Sequence, residues 1–498
     1  MPHSYPDSSV KLPDVHAIGF AGASHSADQA LCRAAIDRFL ADRLGVAGRI
    51  LCAVSSAAAG LPLIFAESCL AAGIPLRLLL PSPRDAFLEG CGAMDGSRFE
   101  RVIDSSISVE VAGSEGPLEE RYYECGLQVV QQCHELLAVW NGQPSTGLGS
   151  VGETVAFAGQ MRRPVVWIHS ETGVVQTTPP RGDRDDGAVR ELTFLNELPS
   201  AEPAADSDDP IALVQAWLAK LDANAARLAP QVRRLAALPI VCTALAAFVS
   251  AAAQSRRAPG VWIAAGGVLG LIAAVLPAAL RLGKRQALWV RIRTAAEVTR
   301  SVLALWDTPV RYQIVGPEIL PELDSMVRSL DLLKARADRA QNIGLAQFQE
   351  QYIELRLLDQ VRYFSRQSSH SAAMGQRYRL VSKICAAGAI VLSAWMFVSR
   401  SVMKMGDSVS GGSWLSLVAS ALFQLATIAG ALLVVHECER RERRYQEIHR
   451  SLADWEIELR AFHTWPPVIE VVSKIERALL VELLEWRSLL RNMKMPRN

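Results

Sequence analysis

The chain has 498 residues, with 52 Lys and Arg against 51 Asp and Glu, so its formal net charge is +1. This balance gives no sign of a nucleic-acid-binding surface, and we expect no nucleic-acid partner. The nine cysteines form no CxxC pair, which is typical of reduced thiols in a cytosolic domain. The histidines form no HxxxH or HExxH pattern, so the sequence predicts no metal site. The first residues have no apolar core, and we expect no signal peptide.

Residues 14 to 170 alternate short apolar runs with amphipathic segments. Strands are predicted at HAIGFAG, RILCAVS, PLRLLL, ELLAVW and PVVWI. Helices are predicted between them, over Ala27–Asp42, Leu63–Ala72, Glu119–Gln132 and Glu153–Met161. Uninterrupted apolar strands separated by helices indicate an α/β fold with a doubly wound, Rossmann-like parallel sheet that is covered on both faces.

The loops at the carboxyl ends of these strands are rich in glycine and serine. Ligands of parallel α/β folds bind at that edge, where N–H groups of helix N-termini can hold an anion. His25 could contact a phosphate or be an ordinary loop residue, and Trp140 could stack on a base or pack in the core. Glycine and serine at strand ends are also ordinary turn chemistry, so these residues alone leave a nucleotide site and simple turns open.

Six segments in chain order resemble the SLOG family, which includes the DprA-type and LOG proteins. They read GASH, GLP, LLLPSPRDAF, AVWNG, GLGSVGETVAFA and PVVWI, and begin at residues 22, 60, 78, 138, 147 and 164. SLOG domains bind nucleotides or nucleotide-derived signals at these loops. The resemblance therefore implies a nucleotide-derived ligand, no other cofactor, and contacts from Gly22, Ser24, His25, Gly60, Pro81, Trp140, Asn141, Gly149, Ser150, Gly152 and Glu153.

The chain departs from the SLOG pattern at three places. Pro62 stands where the family has an acidic residue, and no arginine follows His25. Ser150 and Val151 replace the second glycine and the threonine of the GGT pattern. Fewer groups remain to contact a phosphate or to act in a reaction, so we expect binding without turnover and predict no catalytic residue.

The segment Glu171 to Asp209 is rich in Pro, Gly, Asp and Thr, which is typical of a linker that cannot build a core. A short helix is predicted after it, over Ile211–Leu228.

Four stretches of the C-terminal half contain no Asp, Glu, Lys or Arg. They are Leu235–Ser255, Ala258–Leu280, Ile384–Ser399 and Ser408–Val435. About 20 helical residues cross the hydrocarbon core, so three stretches are long enough, and Lys383 and Arg400 can extend the third by snorkelling. The pattern predicts an all-α region with four transmembrane helices, arranged as two hairpins in the inner (plasma) membrane.

Basic residues surround these stretches unevenly. The hairpin tips carry Arg256, Arg257, Arg400 and Lys404, whereas the opposite flanks carry many more, including the run ERRERR that starts at Glu439. The positive-inside rule therefore predicts that both termini are cytoplasmic.

Apolar stripes at helical spacing lie before and after the second hairpin. Their residues are Ile353, Leu357, Val361 and Phe364, and then Val471, Ile475, Leu479, Leu483 and Trp486. These stripes could pack between subunits or within one subunit. The motifs YIELRLLDQVRYF and ERALLVELLEW around the hairpin resemble the SLATT family of two-helix membrane effectors, which accompany nucleotide sensors in bacterial conflict systems. The first hairpin lies outside that module.

We divide the chain into a SLOG-like domain (1–175), a linker with a short helix (176–233), a first hairpin (234–283), a cytoplasmic helical region (284–376), a second hairpin (377–437) and C-terminal helices (438–498). The resemblances imply a homo-oligomeric membrane effector that senses a nucleotide-derived second messenger and opens a pore in the bilayer during antiphage defence. The alternatives are a membrane-anchored nucleotide or NAD hydrolase, and an interaction scaffold with a degenerate nucleotide pocket.

Overall fold

A computed structural model describes residues 10–23, 28–46, 48–56, 58–89, 93–112, 116–143, 147–178, 184–200, 209–255, 260–279, 282–308, 320–337, 343–401, 412–435 and 437–492. The chain forms two compact units. Unit 1 comprises Met1–Lys220 and Val298–Ile343, and unit 2 comprises Leu221–Glu297 and Gly344–Asn498.

Unit 1 is built on a seven-stranded sheet of order β4-β3-β2-β1-β5-β6-β7. The strands are β1 (Val15–Gly22), β2 (Ile50–Ser56), β3 (Leu76–Leu80), β4 (Ser108–Val111), β5 (Glu135–Trp140), β6 (Val165–His169) and β7 (Val175–Thr178). Neighbours from β4 to β6 pair in parallel, and β7 pairs antiparallel with β6. The predicted Rossmann-like sheet is confirmed, with β4 and β7 added to the five predicted strands.

Helices cover both faces of this sheet. They are α1 (Gln29–Leu44), α2 (Leu61–Ala71), α3 (Arg84–Glu89), α4 (Ala93–Ser105), α5 (Leu118–Gln132) and α6 (Val151–Gln160). Alternate strand residues point to opposite faces. Leu137 of β5 therefore joins the core cluster of α1, α2 and α4, whereas Leu136 joins that of α5 and α6. Burial on both faces explains why these strands read as uninterrupted apolar runs.

The segment predicted to be a linker is partly structured, which corrects the sequence interpretation. It contains β7 and helix α7 (Arg184–Asn196). Ala188, Leu192 and Leu195 of α7 are buried, at the spacing of one helical face. Asn196 accepts a hydrogen bond from the Leu12 N–H (2.9 Å) and donates one to the Leu12 carbonyl (3.0 Å). Three apolar residues at the spacing of one helical face therefore suffice to bury one side of α7, although the neighbouring sequence is polar.

Unit 1 also includes residues that follow the predicted first hairpin. Helix α10 (Leu282–Ala304) ends in this unit, and α11 (Asp324–Ala337) packs at the start of β1. Leu332 of α11 contacts the cluster of Val15 and Cys52, and Ser329 donates a hydrogen bond to the Pro13 carbonyl. Unit 1 is therefore discontinuous in sequence and extends beyond the predicted division at residue 175.

Unit 2 is built from helices, and its described residues contain no strand. It contains most of α8 (Pro210–Ser255), α9 (Gly260–Ala279), the first part of α10, α12 (Leu345–Tyr352), a π-helical turn (Ile353–Leu357), α13 (Leu358–Ser401), α14 (Gly412–Val435), α15 (Cys438–Ala461) and α16 (Trp465–Asn492). Of the predicted stripes, Ile353, Leu357, Phe364, Val471, Ile475 and Leu479 are buried. Val361 is half-buried, and the side chains of Leu483 and Trp486 lie outside the described residues.

Two helices are long and apolar enough to cross a membrane, among the residues that the structure describes. They run over Leu345–Ser399 and Trp414–Ala461, and the second passes from α14 into α15. Only 6% and 18% of their most apolar windows are buried, whereas the core helix of a soluble protein is mostly buried. The structure thus supports two apolar spans of the four that the sequence predicts.

Candidate ligand-binding site at the carboxyl edge of the sheet

The strand order reverses between β1 and β5. From β1 the chain moves outward through β2, β3 and β4, and it then returns to the other side of β1 with β5. Gly22, at the end of β1, is in register with Val139 of β5, and the Ala23 N–H donates to the Val139 carbonyl (3.2 Å). In open parallel sheets, ligands bind at the carboxyl edge beside such a reversal.

Gly22 lets helix α2 begin close to β1. A Cβ at Gly22 would lie 2.5 Å from the Phe20 ring and 2.9 Å from the Leu61 Cβ. The Leu61 N–H donates to the Ala23 carbonyl (3.3 Å), which fixes this approach. Gly60, which precedes α2, has a φ of +83°, a conformation that favours glycine. Each of these two positions therefore favours glycine for a local structural reason, whether or not a ligand binds.

We expect Gly22→Ala to destabilise unit 1 by about 1–3 kcal/mol, because the added methyl group overpacks a buried contact. Gly96→Ala is the matched control, since a Cβ there meets nothing within 4 Å. Hydrogen exchange of peptides from β1 would compare the two variants. Equal protection in both would contradict the close packing of Gly22.

The loop before α6 is held by its own side chains. The Ser150 hydroxyl accepts from the Glu153 N–H (3.4 Å), and the Glu153 carboxylate accepts from the Gly149 N–H (2.9 Å). Gly149 has a φ of +79°, and a Cβ there would lie 3.0 Å from the Glu119 carbonyl. These bonds form a helix cap close to the capping box. Glu153 thus orders the loop, and Gly152 lies in the first helical turn beside it.

Trp140 and Asn141 complete the end of β5. The Trp140 carbonyl accepts from the Trp167 indole N–H (3.1 Å) and from the Ser170 N–H (3.0 Å). Its half-buried ring packs against the cluster under α5 and α6. The Asn141 side-chain oxygen accepts from the Gln143 N–H (3.2 Å), forming an Asx turn. Packing and turn formation therefore account for the described contacts of both residues.

Pro81 follows β3 and is buried, whereas Ser24 and His25 lie outside the described residues. The Pro81 carbonyl accepts a long hydrogen bond from the Arg121 guanidinium (3.4 Å). Arg121 belongs to the start of α5, the helix that contacts Gly149. The predicted residues that the structure describes therefore share one edge of the sheet.

Arg121 is a cation at this edge that the sequence interpretation missed. Arg84, at the start of α3, pairs with Asp104 (2.8 Å), whereas Arg121 has no carboxylate partner among the described residues. The Arg121 Nε is buried and makes no hydrogen bond there. Its position depends on where α5 crosses the sheet, so no local motif could have indicated it. A guanidinium with free donors is suited to a phosphate.

No family model, curated protein or solved structure matches this chain. The SLOG and SLATT resemblances therefore stay predictions, and so do the ligand contacts, for which the geometry of the edge is the structural support.

A second polar group lies at the amino edge of the sheet. Glu135 accepts hydrogen bonds from His16 (3.1 Å) and from Arg43 (2.7 and 2.9 Å), beside a cleft of about 320 Å³. His134 stacks on His16, and burial together with the charge of Arg328 holds the pKa of His134 well below its ordinary value. Both carboxylate oxygens of Glu135 accept hydrogen bonds, which indicates a structural role for this group.

Proposed function

We propose that the chain is a membrane effector that binds a nucleotide-derived signal at the carboxyl edge of unit 1 and responds through the apolar helices of unit 2. The proposal rests on two features that occur together in one chain. A parallel sheet has a strand-order reversal lined by glycine loops and a cation, and separate helices expose long apolar faces.

The ligand part rests on the carboxyl edge. The α6 cap holds the loop of Gly149 in a defined conformation, and the N–H groups of Val151 and Gly152 in the first turn of α6 are without intrahelical partners, as at every helix start. Such groups and a nearby guanidinium suit the phosphates of a nucleotide. We propose binding without turnover, because the Glu153 carboxylate is used to cap its own loop.

The membrane part rests on exposed apolar side chains. On α13 they extend from Leu380 to Val398, about 28 Å of helix, and on α14 from Trp414 to Val434, about 30 Å. The hydrocarbon core is about 30 Å thick. Small residues let the two helices approach, since a Cβ at Gly388 would lie 3.2 Å from Leu422. Trp395, near the end of α13, and Trp414, near the start of α14, are exposed, as in an interfacial aromatic belt.

Helices α8 and α9 extend the proposal to four spans. Val241, Leu245 and Phe248 of α8 are exposed, and so are Val268, Leu271 and Val275 of α9. The helices contact through small residues, with Ala246 lying 3.9 Å from a Cβ built at Gly270. We propose two hairpins in the inner membrane with both termini cytoplasmic, acting as a homo-oligomer. Antiphage defence by pore opening is the role that the resemblances imply.

A signal can switch such an effector only if it binds one arrangement more tightly than the other. The chain passes between the units within α8, within α10 and again between Ile343 and Gly344, and α8 and α10 also lead into and out of the first hairpin. We propose that ligand binding changes the populations of arrangements of these two helices.

The test is a thermal-shift screen of the detergent-solubilised full chain against cyclic oligonucleotides, NAD derivatives and plain nucleotides, with product analysis of every hit. A ligand at 100 times its dissociation constant should stabilise unit 1 by about 2.7 kcal/mol. We expect Arg121→Gln to weaken binding of a phosphate-containing hit about tenfold or more, through loss of a charge-assisted hydrogen bond. The control Arg84→Gln removes a cation that is already paired.

Product analysis separates the alternatives. An intact ligand that stabilises the protein supports a sensor. A ligand that is consumed would replace this proposal with a membrane-anchored nucleotide or NAD hydrolase. No shift with any compound would favour a scaffold that binds a partner protein.

A further inference from the structure

The apolar faces of α13 and α14 end where helix α14 stops and helix α15 begins. Glu437, between α14 and α15, has a φ of +46°, and a Cβ at Gly375 of α13 would lie 3.2 Å from the Cys438 Cβ. Helix α13 packs against both α14 and α15. Its Ser382 donates a hydrogen bond to the Ala426 carbonyl of α14 (3.1 Å), and Gly375 lies beside Cys438 at the start of α15. The helical pair therefore continues past the end of the apolar face of α14, and its surface changes from apolar to charged within two helical turns.

Arginines dominate the first turns of α15 at this position. Arg440 and Arg443 are exposed and have no ion-pair partner among the described residues. With Arg444 they line a cleft of about 600 Å³, which Glu439 and Glu447 also line. Glu439 is paired with Arg379 of α13, so its charge is largely compensated. On α13, Arg377 is exposed two residues from Gly375, which lies beside Cys438.

The position of these arginines matches the headgroup layer. Arg440 and Arg443 follow Val434, an exposed apolar side chain near the end of α14, by six and nine residues, which correspond to about 9 and 14 Å at the helical rise of about 1.5 Å per residue. The headgroup region extends about 5–8 Å beyond the hydrocarbon core, and an arginine stem can reach several ångströms toward it. Guanidinium groups bind phosphate oxygens with paired hydrogen bonds.

From this arrangement we propose that the α15 arginine cleft, formed by Arg440, Arg443 and Arg444, binds the phosphate headgroup of an anionic phospholipid. The inference rests on the membrane part of the proposed function and is independent of the nucleotide site. The lipid would anchor the break between α14 and α15 at the cytoplasmic leaflet, which carries most of the anionic lipid. The same contact would fix the depth of the second hairpin in the bilayer.

The test uses the full chain in neutral detergent, delipidated, with native mass spectrometry after addition of short-chain phosphatidylglycerol or phosphatidylcholine. We expect the protein to prefer phosphatidylglycerol, and the double variant Arg440→Gln/Arg443→Gln to bind it about thirtyfold more weakly. Each arginine near an anionic surface contributes about fivefold. Binding to the unaltered protein should also weaken at high salt.

The control Arg362→Gln/Arg366→Gln removes the same charge from exposed positions of α13, where both side chains donate only to carbonyls of their own helix among the described contacts. It should keep the full preference. Equal binding of the two lipids, or an unchanged preference in the Arg440/Arg443 variant, would overturn the site. Displacement by equimolar inorganic phosphate would also overturn it, because the ligand would then be a free anion. A protein that extracts into buffer without detergent would contradict the membrane proposal itself.

Discussion

Replacing Arg356 with methionine is expected to destabilise unit 2 by about 3–5 kcal/mol. Arg356 lies in the π-helical turn and donates to Glu297 of α10 (2.9 Å) and to both oxygens of Glu476 of α16 (2.8 and 3.0 Å). The Tyr352 hydroxyl donates to the same Glu476 carboxylate (2.9 Å). All four side chains are buried. Removing the cation leaves two carboxylates buried without their shared partner.

Hydrogen exchange of peptides from α16, measured on the detergent-solubilised full chain, would check this expectation. A loss of 3–5 kcal/mol corresponds to exchange that is faster by about two to four orders of magnitude. The control is Arg366→Met on α13. Arg366 is exposed and donates only to the Arg362 carbonyl (3.3 Å) among the described contacts, so we expect a change within about 0.5 kcal/mol.

The triple variant Glu297→Gln/Arg356→Met/Glu476→Gln separates charge from packing. If uncompensated charge causes the loss, the triple variant should recover much of the stability, because no buried carboxylate remains. A triple variant as unstable as Arg356→Met would instead assign the loss to packing around the π-helical turn. Such turns often occur at functional sites, and this one joins α12 to α13 while its Arg356 contacts Glu297 of α10.

The parts of the fold that were predictable from sequence are those fixed by local pattern. Strands β1, β2, β3, β5 and β6 are buried runs, and their parallel pairing follows from the helices between them. Strand β4 was missed because it alternates half-buried and exposed residues at the sheet edge. Helix α7 lies in a segment rich in Pro, Gly and Asp, and only the spacing of Ala188, Leu192 and Leu195 indicates a helix there.

Only the location of the candidate site could be predicted from the sequence. Parallel strands put all their carboxyl ends at one edge, so the loops at Gly22, Gly60, Pro81, Trp140 and Gly149 had to lie there. The use of each side chain was not predictable, because it depends on contacts across the fold. Glu153 caps its own loop, and Arg121 reaches the edge from α5.

Long-range polar contacts had no signature in the sequence. Arg356 is separated from Glu297 by 59 residues and from Glu476 by 120, and no periodicity relates them. The same holds for α11, which reaches the start of β1 from beyond the first hairpin. Only the folded chain brings these residues together.

The second large effect is expected at Glu135, whose replacement by glutamine should destabilise unit 1 by about 2–3 kcal/mol at neutral pH. Burial alone would raise the pKa of this carboxyl group. The hydrogen bonds and charges of His16 and Arg43 outweigh burial and lower the pKa of Glu135 to about 2, from an ordinary value of 4.5. A shift of this size corresponds to about 3 kcal/mol, which the partial exposure of Arg43 reduces.

The pH dependence follows from the direction of this shift. The folded state binds the Glu135 proton more weakly than the unfolded state, so the stabilisation is fully present above pH 4.5. It is lost as the pH falls from 4.5 toward 2, where the carboxylate becomes protonated in both states. The difference in stability between the natural protein and Glu135→Gln should therefore shrink over this range.

Hydrogen exchange of β5 peptides between neutral and acidic pH would measure that difference in unit 1 without requiring the whole chain to unfold. Glu100→Gln is the matched control, because Glu100 is exposed on α4 and has no ion pair among the described residues. A constant difference down to the lowest pH would mean that Glu135 stabilises through shape and not through charge. A difference that shrinks with acid would assign the stabilisation of the amino edge, where α11 docks, to the ionised carboxylate between His16 and Arg43.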